Sequence, residues 1–162
     1  MNRPPKFRDA LEVFVRHDVD FIVVGGVAAV LNGAPISTFD LDLVHARTAE
    51  NLDRLMSALA ELHAHYRDQT ARQLPPRREL LAGDGHNLLT TDCGPIDLLG
   101  TIGAGDTFES LLRESEARAL GDRTIRVLSL EALIRGKEQV GRDKDRAILA
   151  ILRRTLAERK RD

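Results

Sequence analysis

Asp40 and Asp42 are separated by a single residue, and Asp97 stands between Ile96 and Leu98 in a second apolar stretch. Along a strand, side chains alternate between the two faces, so Asp40 and Asp42 point one way and Leu41 and Leu43 the other. Two ionised carboxylates held together at a half-buried site repel each other and raise at least one pKa. A divalent cation removes that penalty. Hard oxygen donors, with no nearby Cys or paired His, favour Mg²⁺ or Mn²⁺ over zinc. If the strand carrying Asp97 lies beside the one carrying Asp42, the three carboxylates converge. Such a cluster suits two metals roughly 3.5–4 Å apart. Asp97 is then the candidate to receive a proton from an attacking hydroxyl.

Gly25 and Gly26 follow the apolar run Phe21-Ile22-Val23-Val24. Glycine tolerates backbone angles closed to other residues and lets a phosphate approach without a Cβ in the way. A helix starting there presents free N–H groups and a positive dipole end to an anion. Each feature also has a plainer reading. A Gly-Gly pair is often only a tight turn, an Asp-x-Asp a solvated strand edge, and Asp97 the partner of an arginine. Their order along the chain would need three separate plain explanations. Taken together they describe a site for a divalent metal and a nucleoside triphosphate, which is the equipment of nucleotidyl transfer.

The elements that must position these residues follow from periodicity. Phe7, Leu11, Phe14 and Val15 recur at helical spacing over residues 6–17. Residues 21–24 read as a buried strand running into the glycine turn, and 27–31 as a helix stopped by Asn32-Gly33. Residues 39–44 form the aspartate strand. Thr48 caps a helix striped with Leu52, Leu55, Met56, Leu59 and Leu62. Arg72 to Arg78 reads as a basic loop around Pro75-Pro76. Residues 87–91 and 95–99 make two strands joined at Asp92-Cys93-Gly94, which requires an antiparallel pair. A short helix is expected near 108–113 and a strand over 124–128. Ser129 and Glu131 open a helix carrying Lys137. A last helix starts near Asp143, with Ile148, Ile151 and Leu152 turned inward. Alternation of helix and strand predicts a mixed sheet covered by helices, an α/β (α+β) fold with C-terminal helices in one domain, 1–162.

Composition narrows the function classes. With 162 residues, 43% hydrophobic and 30% charged, the chain can fill a real core. A net charge of −1 gives no general attraction to nucleic acid or membrane, so any such contact must be local. Aromatics are 4% and Trp is absent, which argues against a base-stacking platform for single strands. Cys93 is the only cysteine, so neither an intrachain disulfide nor a thiolate zinc site is expected. The opening Met1-Asn-Arg-Pro-Pro-Lys leads toward an amphipathic helix rather than an apolar signal core, and no apolar run reaches the ~20 residues of a membrane span. A cytoplasmic location without membrane contact is the expectation. His63 and His65 are too close in sequence to share a helix face, and His45 reads as a strand-end residue. Arg72, Arg77 and Arg78, and the terminal Arg153, Arg154, Arg159, Lys160 and Arg161, are basic stretches available to RNA phosphates, but solvated surface is the better reading.

The segment Val24-Gly-Gly-Val-Ala-Ala-Val-Leu-Asn-Gly-Ala-Pro-Ile-Ser-Thr-Phe-Asp-Leu-Asp-Leu resembles the signature of the DNA polymerase β-like nucleotidyltransferase superfamily. It is most similar to its minimal members and to nucleotidyltransferase toxins of the AbiEii type. The resemblance spans residues 21–152. It implies that Gly25, Gly26 and Thr38 contact nucleotide, and that Asp40, Asp42 and Asp97 are catalytic and bind metal. It further implies a phosphate-contacting role for Lys137, with Arg142, Lys144 and Asp145 in support. Gly26 replaces a serine common at that position, leaving phosphate contact to backbone N–H groups. Ile36 stands where several relatives carry arginine, which removes one phosphate or base contact. The expected activity is metal-dependent transfer of NMP from an NTP such as ATP to an acceptor hydroxyl, on RNA, a protein or a small molecule. Relatives imply tRNA or a partner protein as acceptors, and a toxin–antitoxin pairing with a cognate toxin or antitoxin. The alternative is a nucleotide- or partner-binding module of the same fold without turnover.

Overall fold

The computed structural model describes residues 4–67, 72–140 and 143–161. The alternation of helix and strand builds one seven-stranded sheet among these residues, with spatial order β3-β4-β5-β2-β1-β7-β6. Its strands are β1 (Phe21–Val24), β2 (Leu41–His45), β3 (His65–Tyr66), β4 (His86–Thr91), β5 (Gly94–Leu99), β6 (Ser115–Leu120) and β7 (Arg123–Leu128). The helices are α1 (Phe7–Arg16), α2 (Gly25–Leu31), α3 (Ala49–Glu61), α4 (Arg78–Leu81), α5 (Phe108–Leu111), α6 (Leu130–Val140) and α7 (Asp143–Arg161). The fold is a mixed α/β arrangement, as the sequence predicts.

The central strands are the most apolar. β1 is buried along its whole length. It runs antiparallel to β2 and parallel to β7, while β2 runs parallel to β5. The β4–β5 hairpin turns at Asp92-Cys93 with Thr91 opposite Gly94, which gives the antiparallel pair expected there. Gly94 has φ +106°, a left-handed angle that favours glycine. Thr91 fastens the turn by donating to Gly94 O at 2.8 Å and accepting from Cys93 N at 3.0 Å.

Local signals set the helix boundaries. The Thr48 hydroxyl accepts from Asn51 N at 3.2 Å at the start of α3, and Ser129 Oγ accepts from Ala132 N at 3.2 Å at the start of α6. α2 stops at Asn32, and Gly33 follows at φ +96°. Asn32 is buried, and its amide donates to Ala28 O and Leu128 O, tying the end of α2 to the end of β7. Along α7, Leu152 is buried while Ile148 packs at the edge of the core.

Three elements lie outside the sequence expectation: the two-residue β3, the single-turn α4 and the edge strand β6. α4 begins at Arg78, so the basic loop ends one residue earlier than expected. No described helix is long and apolar enough to cross a membrane.

Candidate active site

The site lies where β2 and β5 run side by side. Their parallel register sets Asp42 opposite Asp97, and the antiparallel register of the neighbouring strands adds Val24 on β1 and Leu88 on β4 to the same row. Leu41 and Leu43 are fully buried on the opposite face of β2. Asp40 sits in the bend immediately before β2, yet it joins the same cluster. One carboxylate oxygen from each of Asp40, Asp42 and Asp97 lies within 4.8 Å of the others. The structure thus brings together the three acids that the sequence singles out.

The electrostatics are those of crowded like charges. Burial, then the charges of Asp40 and Asp97, push the Asp42 carboxyl up to about 8. Burial and the neighbouring Asp97 also raise Asp40. One cation opposes this. Arg67 lies just past β3 and donates to Asp97 Oδ1 at 2.8 Å and to Leu89 O at 2.8 Å. Asp97 therefore does partner an arginine, as its plainer reading allows, while also belonging to the cluster. Sequence reasoning missed Arg67. The available signal was an acid buried on an apolar strand, but the strand order that delivers Arg67 to it is not written in the local pattern.

The glycine turn is shaped around the acids. Gly25 has φ +65°, and a Cβ there would collide with Asp42 Oδ2. A Cβ on Gly26 would come within 2.6 Å of Thr38 Oγ1. Both residues must therefore be glycine for the loop 33–40 and β2 to approach the start of α2 this closely. Thr38 in turn donates its hydroxyl proton to Asp40 O at 3.2 Å, which fixes the bend presenting the Asp40 carboxylate. In this arrangement Thr38 positions an acid. The start of α2 carries no side-chain cap.

Lys137 on α6 pairs with the buried Asp145 of α7, Nζ to Oδ1 at 3.1 Å. It stands between two cavities that both touch Gly25. One, of about 300 Å³, includes Asp42, Leu99, Asp106 and Arg135 in its wall. The other, of about 430 Å³, includes Gly26, Ile36, Phe39, Asp40 and Ile148. Phe39 is 78% exposed beside Asp40, the most exposed large apolar side chain among the described residues. Lys144 falls in the first turn of α7, and Arg142 lies outside the described residues.

His45 and His63 take structural places. Buried His45 bonds through Nε2 to Leu81 O at 2.8 Å, and burial lowers its pKa. His63 pairs with Asp92 at 2.5 Å, away from the acid cluster.

Solved structures with this fold are known. A lincosamide antibiotic adenylyltransferase, LnuA, in its lincomycin-bound form superposes with a TM-score of 0.61 at 15% identity, over 94% of this chain and 98% of its own. ANT(2'')-Ia in complex with adenylyl-2''-tobramycin gives 0.56 at 16% identity, over 95% and 89%. A candidate nucleotidyltransferase from Thermotoga maritima gives 0.57 at 19% identity, over 98% and 96%. The chain has the nucleotidyltransferase fold. No model of a protein family matches the sequence, and no curated protein matches it. The nucleotidyltransferase fold is thus visible here in three dimensions at a sequence distance where pairwise likeness has faded.

Three carboxylates and a backbone cradle that a Cβ would fill make a donor set suited to a hard divalent cation. The raised Asp42 carboxyl has the same implication, because the cluster lacks enough positive charge of its own.

Proposed function

We propose that this protein is a nucleotidyltransferase that moves NMP from an NTP to an acceptor hydroxyl and releases pyrophosphate. The observation that carries the reading is the convergence of Asp40, Asp42 and Asp97 beside the Gly25 turn. Asp40, Asp42 and Asp97 would hold Mg²⁺ or Mn²⁺, which when bound neutralises charge on the triphosphate and on the departing pyrophosphate. The chain's own groups do the rest. The glycine turn lets phosphates approach the acids without a side chain between them. Lys137, already between the two cavities, offers its ammonium to the phosphates.

Asp97 receives the proton of the acceptor hydroxyl. The freed oxygen bonds to the α-phosphorus while the bond from that phosphorus to the bridging oxygen breaks, and that electron pair leaves with pyrophosphate. Each group acts mainly by position and charge, which suits phosphoryl chemistry.

The acceptor is a hydroxyl-bearing molecule. Small polyhydroxylated molecules come first, because two of the matched structures are antibiotic adenylyltransferases. The resemblance to AbiEii-type toxins adds tRNA, a partner protein and a toxin–antitoxin pairing as further acceptor classes and context. Dependence on NTP fits a cytoplasmic location.

The test is pyrophosphate release from ATP, CTP, GTP or UTP with Mg²⁺, against tRNA, cell lysate, aminoglycosides and lincosamides. Release that needs both an acceptor and Mg²⁺, and that disappears in Asp42→Asn, is the expected result. Nucleotide-induced thermal stabilisation without pyrophosphate under any condition would instead make the chain a binding module.

A further inference from the structure

Arg67 extends the active row of the sheet. Its main-chain N–H donates to Leu88 O at 2.9 Å, so the ladder continues one residue past β3. Leu88 pairs with Asp97, and Asp97 with Asp42. The guanidinium reaches inward along this row, one nitrogen serving both Asp97 Oδ1 and the Leu89 carbonyl. Two anchors hold it in place. The Asp97 side chain is 13% exposed and that of Arg67 36%, so the carboxylate end of the pair is buried while the arginine keeps a side open to solvent.

Charge counting then becomes informative. Three carboxylates and one guanidinium, all ionised, leave two negative charges, which a single divalent cation balances. A second divalent cation drawing on Asp97 would have to take Oδ1 from Arg67 and sit against a like charge. The guanidinium fork binds phosphate oxygens bidentately as it does carboxylate oxygens, so a triphosphate offers Arg67 an alternative anionic partner.

We propose that Arg67 is the resident counter-ion of Asp97: it limits the nucleotide-free site to one divalent cation, at Asp40 and Asp42, until a triphosphate draws it away. Arg67 is a positioning residue, acting through Asp97. Asp97 becomes available for a second cation and for the acceptor proton only when nucleotide is present. The nucleotide half of this inference rests on the proposed function, whereas the cation count does not.

The test counts Mn²⁺ bound per full chain at about pH 8.5, by metal analysis of the protein retained in ultrafiltration, with the filtrate giving the Mn²⁺ that is free or held by unbound nucleotide. Wild type, Arg67→Ala and Arg67→Lys are compared, without nucleotide and with a non-hydrolysable ATP analogue. The expected result is one Mn²⁺ in nucleotide-free wild type, two in Arg67→Ala, and one in Arg67→Lys. The first Mn²⁺ should bind Arg67→Ala at least tenfold more tightly, and the analogue should raise the wild-type count to two. Should Arg67→Ala unfold, Arg67→Gln, which removes the charge and keeps a donor, should give the same count of two. Two Mn²⁺ in nucleotide-free wild type, or an unchanged count and affinity in the neutral variants, would overturn the role of Arg67 alone. No Mn²⁺ in any variant would overturn the carboxylate centre and the proposed function with it.

Discussion

Replacing Asp42 by Asn should make the cation-free protein more stable while removing its activity. Asp42 has an ordinary carboxyl value of 3.8 that burial and its acidic neighbours raise to about 8. A group whose folded pKa is raised disfavours folding in its ionised form. Its contribution is harmless below 3.8, grows more unfavourable as pH rises, and levels off above about 8. At about pH 7.5 the gap corresponds to an upper bound of roughly 5 kcal/mol. The site is half-buried and can relax, so about 2–4 kcal/mol is the expected gain from a neutral amide. For a domain of this size that is a rise in Tm of roughly 5–12 °C. The assay is thermal unfolding by circular dichroism in a chelator, for both proteins, from pH 5 to 9. The difference should widen across that range up to pH 8, and saturating Mg²⁺ should stabilise wild type more than the variant. A variant that is less stable than wild type in chelator, or a difference that does not change with pH, would refute the electrostatic reasoning.

Gly25→Ala must place a Cβ against Asp42 at φ +65°, so it should lower stability by about 1–3 kcal/mol and weaken Mn²⁺ binding, read by melting and by metal titration. Lys137→Met removes the proposed phosphate contact and takes from buried Asp145 its Lys137 partner. It should raise KM for NTP roughly tenfold and cost about 1–3 kcal/mol of stability, whereas an unchanged KM would remove Lys137 from the nucleotide site. His45 is buried with a lowered pKa, so its contribution to stability is full above 6.5 and is lost as pH falls further. His45→Gln should accordingly show a shallower fall in Tm between pH 7 and 5.

Much of this arrangement is legible in the residues because the chemistry and the local pattern agree. β1 and β2 are short apolar strands, and the turns at Gly25, Asn32-Gly33 and Gly94 carry glycine where left-handed angles occur. The alternation around Asp42 fixes which face the acid takes once Leu41 and Leu43 are buried. Other parts depend on the whole sheet. β6 reads Ser-Glu-Ala-Arg-Ala-Leu, without β-branched or aromatic residues, and is a strand because it pairs with β7 at the edge. β3 has two residues and no periodicity to detect. Arg67 follows it, 30 positions before Asp97, and only the order β3-β4-β5 brings them together. Thr38 shows a subtler gap. The resemblance assigns it to nucleotide, but the hydrogen bond that the structure gives it runs to the Asp40 carbonyl.

Nucleotidyl transfer is tested most directly by following the α-phosphorus of the nucleotide. ATP labelled at the α- or the γ-phosphate is incubated with Mg²⁺ and the acceptor panel, using wild type and Asp97→Asn. The account predicts that α-label moves onto an acceptor while γ-label leaves in pyrophosphate, and that Asp97→Asn abolishes both. Movement of γ-label to the acceptor, or full transfer by Asp97→Asn, would contradict it.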